Sequence, residues 1–156
     1  MANDARRAYI DALKMLGRRE LSEVQVRRRL ARKEHDEAAI DEAVARLIEE
    51  RAIDDNRVAE AIARSETSIR KRGRIRVRQK IQSAGVSAAA AKKAIDDVFG
   101  ALDSDALLEA ALAKRLRYGG AIEDERQFSR LYRYLVGQGF ESDLVLTRLK
   151  ALKSRR

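Results

Sequence analysis

His35 stands next to Asp36 in a chain of 156 residues, and a base beside a carboxylate that orients it is the smallest unit of general-base or triad chemistry. There is no second His and no Cys, so neither a nucleophilic triad nor an ordinary zinc set can be completed. Adjacent carboxylates recur at Glu49–Glu50, Asp54–Asp55 and Asp96–Asp97. Neighbours on a helix diverge by about 100° and cannot converge on one substrate atom, so these read as caps or solvated faces. The glycines of "RYGGAIEDE" and "VGQGFES" fit neither a phosphate loop nor a dinucleotide fingerprint. They read as loop and helix-stop residues. No catalytic, cofactor-binding or metal-ligating residue is assigned, and neither enzymatic activity nor a cofactor is expected.

The chemistry on offer is charge. The formal net charge is +9, and it is uneven: residues 1–50 hold 11 Lys/Arg against 11 Asp/Glu, residues 51–100 hold 12 against 6, and residues 101–156 hold 11 against 8. The densest run is "SIRKRGRIRVRQK", Ser68 to Lys80. Such a field raises encounter rates with polyanions or with an acidic protein surface. Locally the run alternates like a strand, with Arg74, Arg76 and Arg78 on one side and Ile75 and Val77 on the other. Strand or helix decides what the cations can touch.

The elements that must position them are helices. Pro is absent, Gly numbers eight and aromatics are 4%; the remainder leans on Ala, Leu, Arg, Glu and Ile, which lose little freedom in a helix. In "AIDEAVARLIEE" the residues Ile40, Ala43, Val44, Leu47 and Ile48 mark one apolar helical face. Shifted by 51 residues, Ala91, Ala94, Ile95, Val98 and Phe99 repeat it. Val26 and Leu30 then match Val77 and Ile81, and Asp36 matches Ser87, both candidate helix N-caps. A further shift of 54 takes Ile81 to Leu135, Gly85 to Gly139, Val86 to Phe140 and Ile95 to Leu149. The expectation is an all-α chain of three tandem three-helix repeats, residues 1–50, 51–101 and 102–156. The opening helices fall near 4–16, 55–71 and 104–117, with Asp54 or Asp55 capping the second.

The repeat makes residues 73–84 a helix, with Gly73 in the N-cap slot of Ser22 and Gly85 as its left-handed stop. Val77, Ile81 and Ala84 face inward, Arg76 and Arg78 lie to either side, and Arg74 and Lys80 flank the stripe and can snorkel outward. Ile75 falls nearly opposite Val77, as an ordinary packed residue or a contact with a neighbouring unit or partner. His35 occupies the slot of Val86 and Phe140, just past a helix end, which favours a packing role over a catalytic one. In "RQFSRLYRYLVGQGF" the spacing of Phe128, Leu131, Tyr132 and Leu135 reads as core, leaving Arg130, Arg133 and Tyr134 outside. No run reaches the roughly 20 apolar residues of a membrane span, and "MANDARRAYI" has no apolar leader region. A soluble cytoplasmic protein is expected.

The tandem units, together with "ELSEVQVRRRLARKEHDEAAIDEAVARLIEERAIDDNRVAEAI" and "LYRYLVGQGFESDLVLTRL", resemble the bacterial RecX regulatory family over nearly the whole chain. The resemblance implies a modulator of the RecA recombinase in DNA repair, homologous recombination and the SOS response. It implies three three-helix repeats in an elongated, curved array. It also implies binding in the groove of the RecA filament on single-stranded DNA, with inhibition of filament extension, ATP hydrolysis, strand exchange and coprotease activity. The chain departs from the family pattern at Glu34, where Gly is common, at His35 and Val58, where an aromatic or aliphatic residue and an aromatic residue are usual, and at Arg74, where Pro is expected.

On that basis the expected contacts are Arg27, Arg28, Arg29, Arg32 and Lys33 on the first rib. Arg70, Lys71, Arg72, Arg74, Arg76, Arg78 and Lys80 surround the second, and Arg130 and Arg133 lie on the third. The expected partner is the RecA filament, with single- and double-stranded DNA as further partners, no membrane, and a monomeric state. Two readings compete: an autonomous basic helical protein that binds DNA through phosphates, and a helical scaffold whose basic face is merely solvated.

Overall fold

Every regular element of the computed structural model, which describes residues 2–116 and 120–153, is an α-helix. Among the described residues the order is α1 (Ala2–Leu16), α2 (Glu23–Arg32), α3 (Glu37–Glu49), α4 (Asp55–Ser68), α5 (Arg74–Ser83), α6 (Ala88–Ala101), α7 (Ser104–Ala113), α8 (Glu125–Gly137) and α9 (Ser142–Lys153). They form three successive triplets, the three-helix repeats. The basic run is helical as the repeat requires: α5 begins directly after Gly73, and Val77 and Ile81 are fully buried.

Contacts divide the chain into two units, residues 1–61 with 81–94, and residues 62–80 with 95–156. In the first, α1, α2 and α3 pack on one another around Ala8, Ala12, Leu21, Val26, Leu30, Val44 and Leu47. Small alanines on α1 let α3 approach closely, and each buried Leu or Val contributes about 1.5–3 kcal/mol of hydrophobic stabilisation. In the second, α7 packs on α8 and α8 on α9, burying Leu108, Leu112, Leu131, Leu135, Val145 and Leu149.

Local signals set the helix starts. Asp54 accepts from the main-chain N–H of Asn56 at 3.0 Å and Arg57 at 3.2 Å, so it is Asp54 that caps α4. The Asp55 carboxylate accepts instead from the Glu23 N–H at 3.0 Å. Ser87 caps α6 through Ala90 N–H at 3.2 Å. Asp36 holds the N-cap backbone of α3 but makes no side-chain cap; its own N–H donates to Asp4 at 3.2 Å.

Three expectations shift. Helix α4 stops at Ser68 rather than near 71, because Lys71 turns to a left-handed backbone, φ 53°. Helix α7 ends at Ala113, and the expected end at 117 lies outside the described residues. Ile48, on the apolar face by spacing, is 42% exposed; it sits at the edge of the α3 stripe in the last turn, where the core has tapered.

Candidate functional site

The basic helices are seated before their charges come into play. In the first unit the start of α2 carries a capping box: Gln25 N–H donates to Ser22 Oγ at 3.2 Å, and Ser22 N–H to Gln25 Oε1 at 3.0 Å. The Ser22 hydroxyl also donates to the Ala84 carbonyl. Gly85, at φ 75°, comes so close to Val24 that an added Cβ would lie 2.9 Å from the valine Cβ.

The second unit repeats the device one repeat later. Gly73 N–H donates to the Gln138 carbonyl at 2.9 Å and Ile75 N–H to the Gly139 carbonyl at 3.1 Å. The first N–H groups of a helix have no partner within it; here the turn after α8 supplies them with carbonyls. A Cβ at Gly73 would meet the Gly139 oxygen at 2.5 Å, and one at Gly139, φ 98°, would meet Arg76 Cβ at 2.3 Å. Only glycine fits either place.

The cations of α2 divide by partner. Arg27 is half-buried and donates to Asp41 at 2.5 Å and to Glu23 at 3.1 Å. Asp41 first, then Glu23, hold its guanidinium above its ordinary value, so it stays charged. Arg28, Arg32 and Lys33 are exposed, Arg29 half-buried, and none of the four has a salt bridge to a described residue. His35 is buried at the end of this rib, as are Val86 and Phe140 in the matching slots. Its Nδ1 lies 3.2 Å from Asp4 and its Nε2 2.8 Å from Asp11. With both ring nitrogens facing carboxylates and the side chain 3% exposed, the ring is enclosed by its own unit and fills a packing slot. The Asp36 N–H and then His35 lower the pKa of Asp4; His35 chiefly lowers that of Asp11.

Around α5 the sorting is sharper. Glu66 is buried and accepts from Arg72 at 2.8 Å, with Arg70 3.8 Å away. Arg72 Nε is buried without a partner, so this arginine locks the corner between α4 and α5. Arg74 is half-buried, 4.0 Å from Asp96, with its guanidinium 5.3 Å from the centre of the Phe99 ring. Arg70, Arg76, Arg78 and Lys80 are exposed and Lys71 half-buried. Ile75 is 42% exposed. On α8, Arg130 and Arg133 are exposed, and Arg126 joins them at the i, i+4, i+7 spacing of one helical face. With Asp124, Glu125 and Ser129 these three line an open groove of about 710 Å³. Arg126 had the same spacing signal in the sequence and is a missed member of this face. Tyr134 is half-buried beneath Arg115, 4.3 Å from its ring centre.

Each basic surface, taken by itself, carries a positive field of the kind that attracts anions. Among the described residues no three or more His, Asp or Glu side chains are placed to hold a metal ion, and no helix is long and apolar enough to cross a membrane.

Residues 8–47 match the family model described as "RecX, first three-helix domain". The fold of the whole chain is similar to two solved structures. One is RecX from Lactobacillus salivarius, with a TM-score of 0.79 at 21% identity over 99% of each chain. The other is a regulatory protein RecX, with a TM-score of 0.78 at 20% identity over 96% of this chain and 73% of that one. No curated protein matches the sequence. The matched segment spans α2, the later part of α1 and most of α3, and the basic helix it encloses recurs as α5; residues 8–47 thus match a RecX first three-helix domain, and the whole chain shares the fold of the RecX structures.

Proposed function

We propose that the chain is a regulatory protein that binds the RecA filament on single-stranded DNA. Binding inhibits filament extension, and with it ATP hydrolysis, strand exchange and coprotease activity. The observation that carries this reading is the α5 rib. Its N-terminus is seated on the turn after α8, while Arg76, Arg78 and Lys80 remain exposed along it and Arg70 remains exposed just before it. A fixed row of cations steers association with an acidic groove and sets register at little ordering cost. The match of residues 8–47 to the RecX first three-helix domain, and the similarity of the fold to a regulatory protein RecX, support a regulatory role.

The test is RecA ATPase activity and filament length on single-stranded DNA, titrated with the protein. Wild type should inhibit well below stoichiometric amounts. The Arg76→Glu, Arg78→Glu double variant, which reverses two exposed cations, should keep its helical content and lose inhibition; retained potency would refute the rib.

A second reading, autonomous DNA binding through phosphates, is favoured by the α8 face of Arg126, Arg130 and Arg133. It predicts tight binding to bare single strands, with a logarithmic salt slope near −0.7 per phosphate contacted (approximately). It also predicts inhibition only through competition for DNA.

A further inference from the structure

We infer that the corner between α4 and α5, residues 68–73, anchors the partner contact. In this arrangement Ile69 enters an apolar socket on an acidic protein surface, and Arg70 and Lys71 meet carboxylates around the socket's rim. The inference rests on the filament-binding reading and assigns it a contact point.

Ile69 is 70% exposed, whereas the other exposed large hydrophobic residues among those described range from 37% to 42%. A single exposed isoleucine is ordinary on a protein surface; the setting of this one is not. The corner is held from several sides. Ile69 N–H donates to the Ser65 carbonyl at 3.0 Å, Arg72 N–H to the Glu66 carbonyl at 3.0 Å, and Gly73 N–H to the Gln138 carbonyl at 2.9 Å. The buried Glu66 carboxylate ties down Arg72 at 2.8 Å. Lys71 is held in a left-handed backbone at φ 53°, a conformation that side-chain-bearing residues adopt at a cost. An exposed isoleucine, a strained lysine and a buried ion pair with an unpartnered Nε thus fall within seven residues. Local rules broken together, on a rigid frame, mark a surface shaped for something outside the chain.

The chemistry of that partner follows from the side chains. Phosphates would reward Arg70 and Lys71 and leave Ile69 facing polar oxygens. A protein surface with carboxylates around an apolar hollow rewards all three, in the usual arrangement of a desolvated anchor within a polar rim. Because the corner is already fixed, little ordering is required on binding.

The experiment measures binding of the full chain to preformed RecA filaments and to bare single-stranded DNA over a salt series. It compares wild type, Ile69→Ala and the Arg70→Glu, Lys71→Glu double variant. Ile69→Ala should weaken filament binding at least about tenfold at every salt concentration with the salt slope unchanged. Its circular dichroism and melting should match wild type, because the side chain is exposed. The double variant should weaken binding and flatten the salt slope. Unchanged filament affinity in Ile69→Ala overturns the anchor and leaves filament binding standing. An equal loss on bare DNA makes Ile69 a wedge between bases and overturns the protein socket. A wild-type dimer that Ile69→Ala dissociates gives the corner to a second copy of the chain, which overturns it too. Wild type that ignores the filament overturns both readings.

Discussion

Replacing Gly139 by Ala probes the seat of α5 with a single methyl group. Two costs follow from the geometry. The residue sits at φ 98°, where a side chain adds about 1–2 kcal/mol of backbone strain. The new Cβ would lie 2.3 Å from Arg76 Cβ and 2.4 Å from Arg76 N. These atoms belong to the start of a helix and cannot swing aside as a side-chain tip could. The first turn of α5 must therefore lift off the turn after α8, breaking Gly73 N–H to Gln138 at 2.9 Å and Ile75 N–H to Gly139 at 3.1 Å. Gly73 is buried, and a buried donor left unpaired costs about 1–3 kcal/mol. Ile75 is an exposed residue, so the loss of its hydrogen bond is left out of the sum.

Together the two costs come to about 2–5 kcal/mol, which for a chain of this size lowers Tm by on the order of 10 °C. The assay is thermal and urea unfolding followed by circular dichroism, with Gly137→Ala alongside. A Cβ at Gly137, also on α8, meets nothing within 4 Å, so that variant should be neutral or stabilised by up to about 1 kcal/mol. A Gly139→Ala protein that melts within about 2 °C of wild type would refute the claim that the turn's close approach holds the rib.

The matching position in the first repeat should respond with the opposite sign. Glu34 sits at φ 63°, so Glu34→Gly should raise stability by roughly 0.5–1 kcal/mol, read as a higher urea midpoint at unchanged slope. The His35 cluster should make the first unit sensitive to acid. Asp4 and Asp11 have pKa values lowered below the ordinary 3.8, so their contribution is fully present above that value and drains away as pH falls through their lowered pKa values. Melting temperature followed on acidification should therefore show an acid limb that Asp11→Asn makes shallower; an identical limb in the variant would count against the cluster.

Much of this architecture was readable from spacing because the repeat converts an ambiguous stretch into an alignment. Residues 74–78 alternate as a strand would, yet Val77 and Ile81 must do what Val26 and Leu30 do, and all four are fully buried. Ser87 and Asp54 were legible as caps because side-chain capping is local. Asp36 was not, because what takes its N–H is Asp4 on α1, 32 residues away. The end of α4 was missed for a similar reason. Nothing in "SIRKRG" requires a stop at Ser68; the turn is held by the buried Glu66–Arg72 pair and the carbonyl of Gln138.

The same limit governs the basic surface, and it decides which substitutions are informative. Arg27 and Arg28, or Arg72 and Arg76, are indistinguishable in a count of cations. What separates them is the carboxylate that the fold brings near: Asp41 lies 14 residues from Arg27 in sequence, and Glu66 turns back on Arg72 across the corner. Reversing the charge of Arg72 would bury a carboxylate beside Glu66, so the chain would lose stability whether or not it has a partner. Reversing Arg76 or Arg78, both exposed, alters the field of the rib and leaves the core alone. A loss of inhibition is evidence of contact only when it follows from cations of the second kind, which is why the charge-reversal test is placed on α5 and its melting curve must be measured beside it.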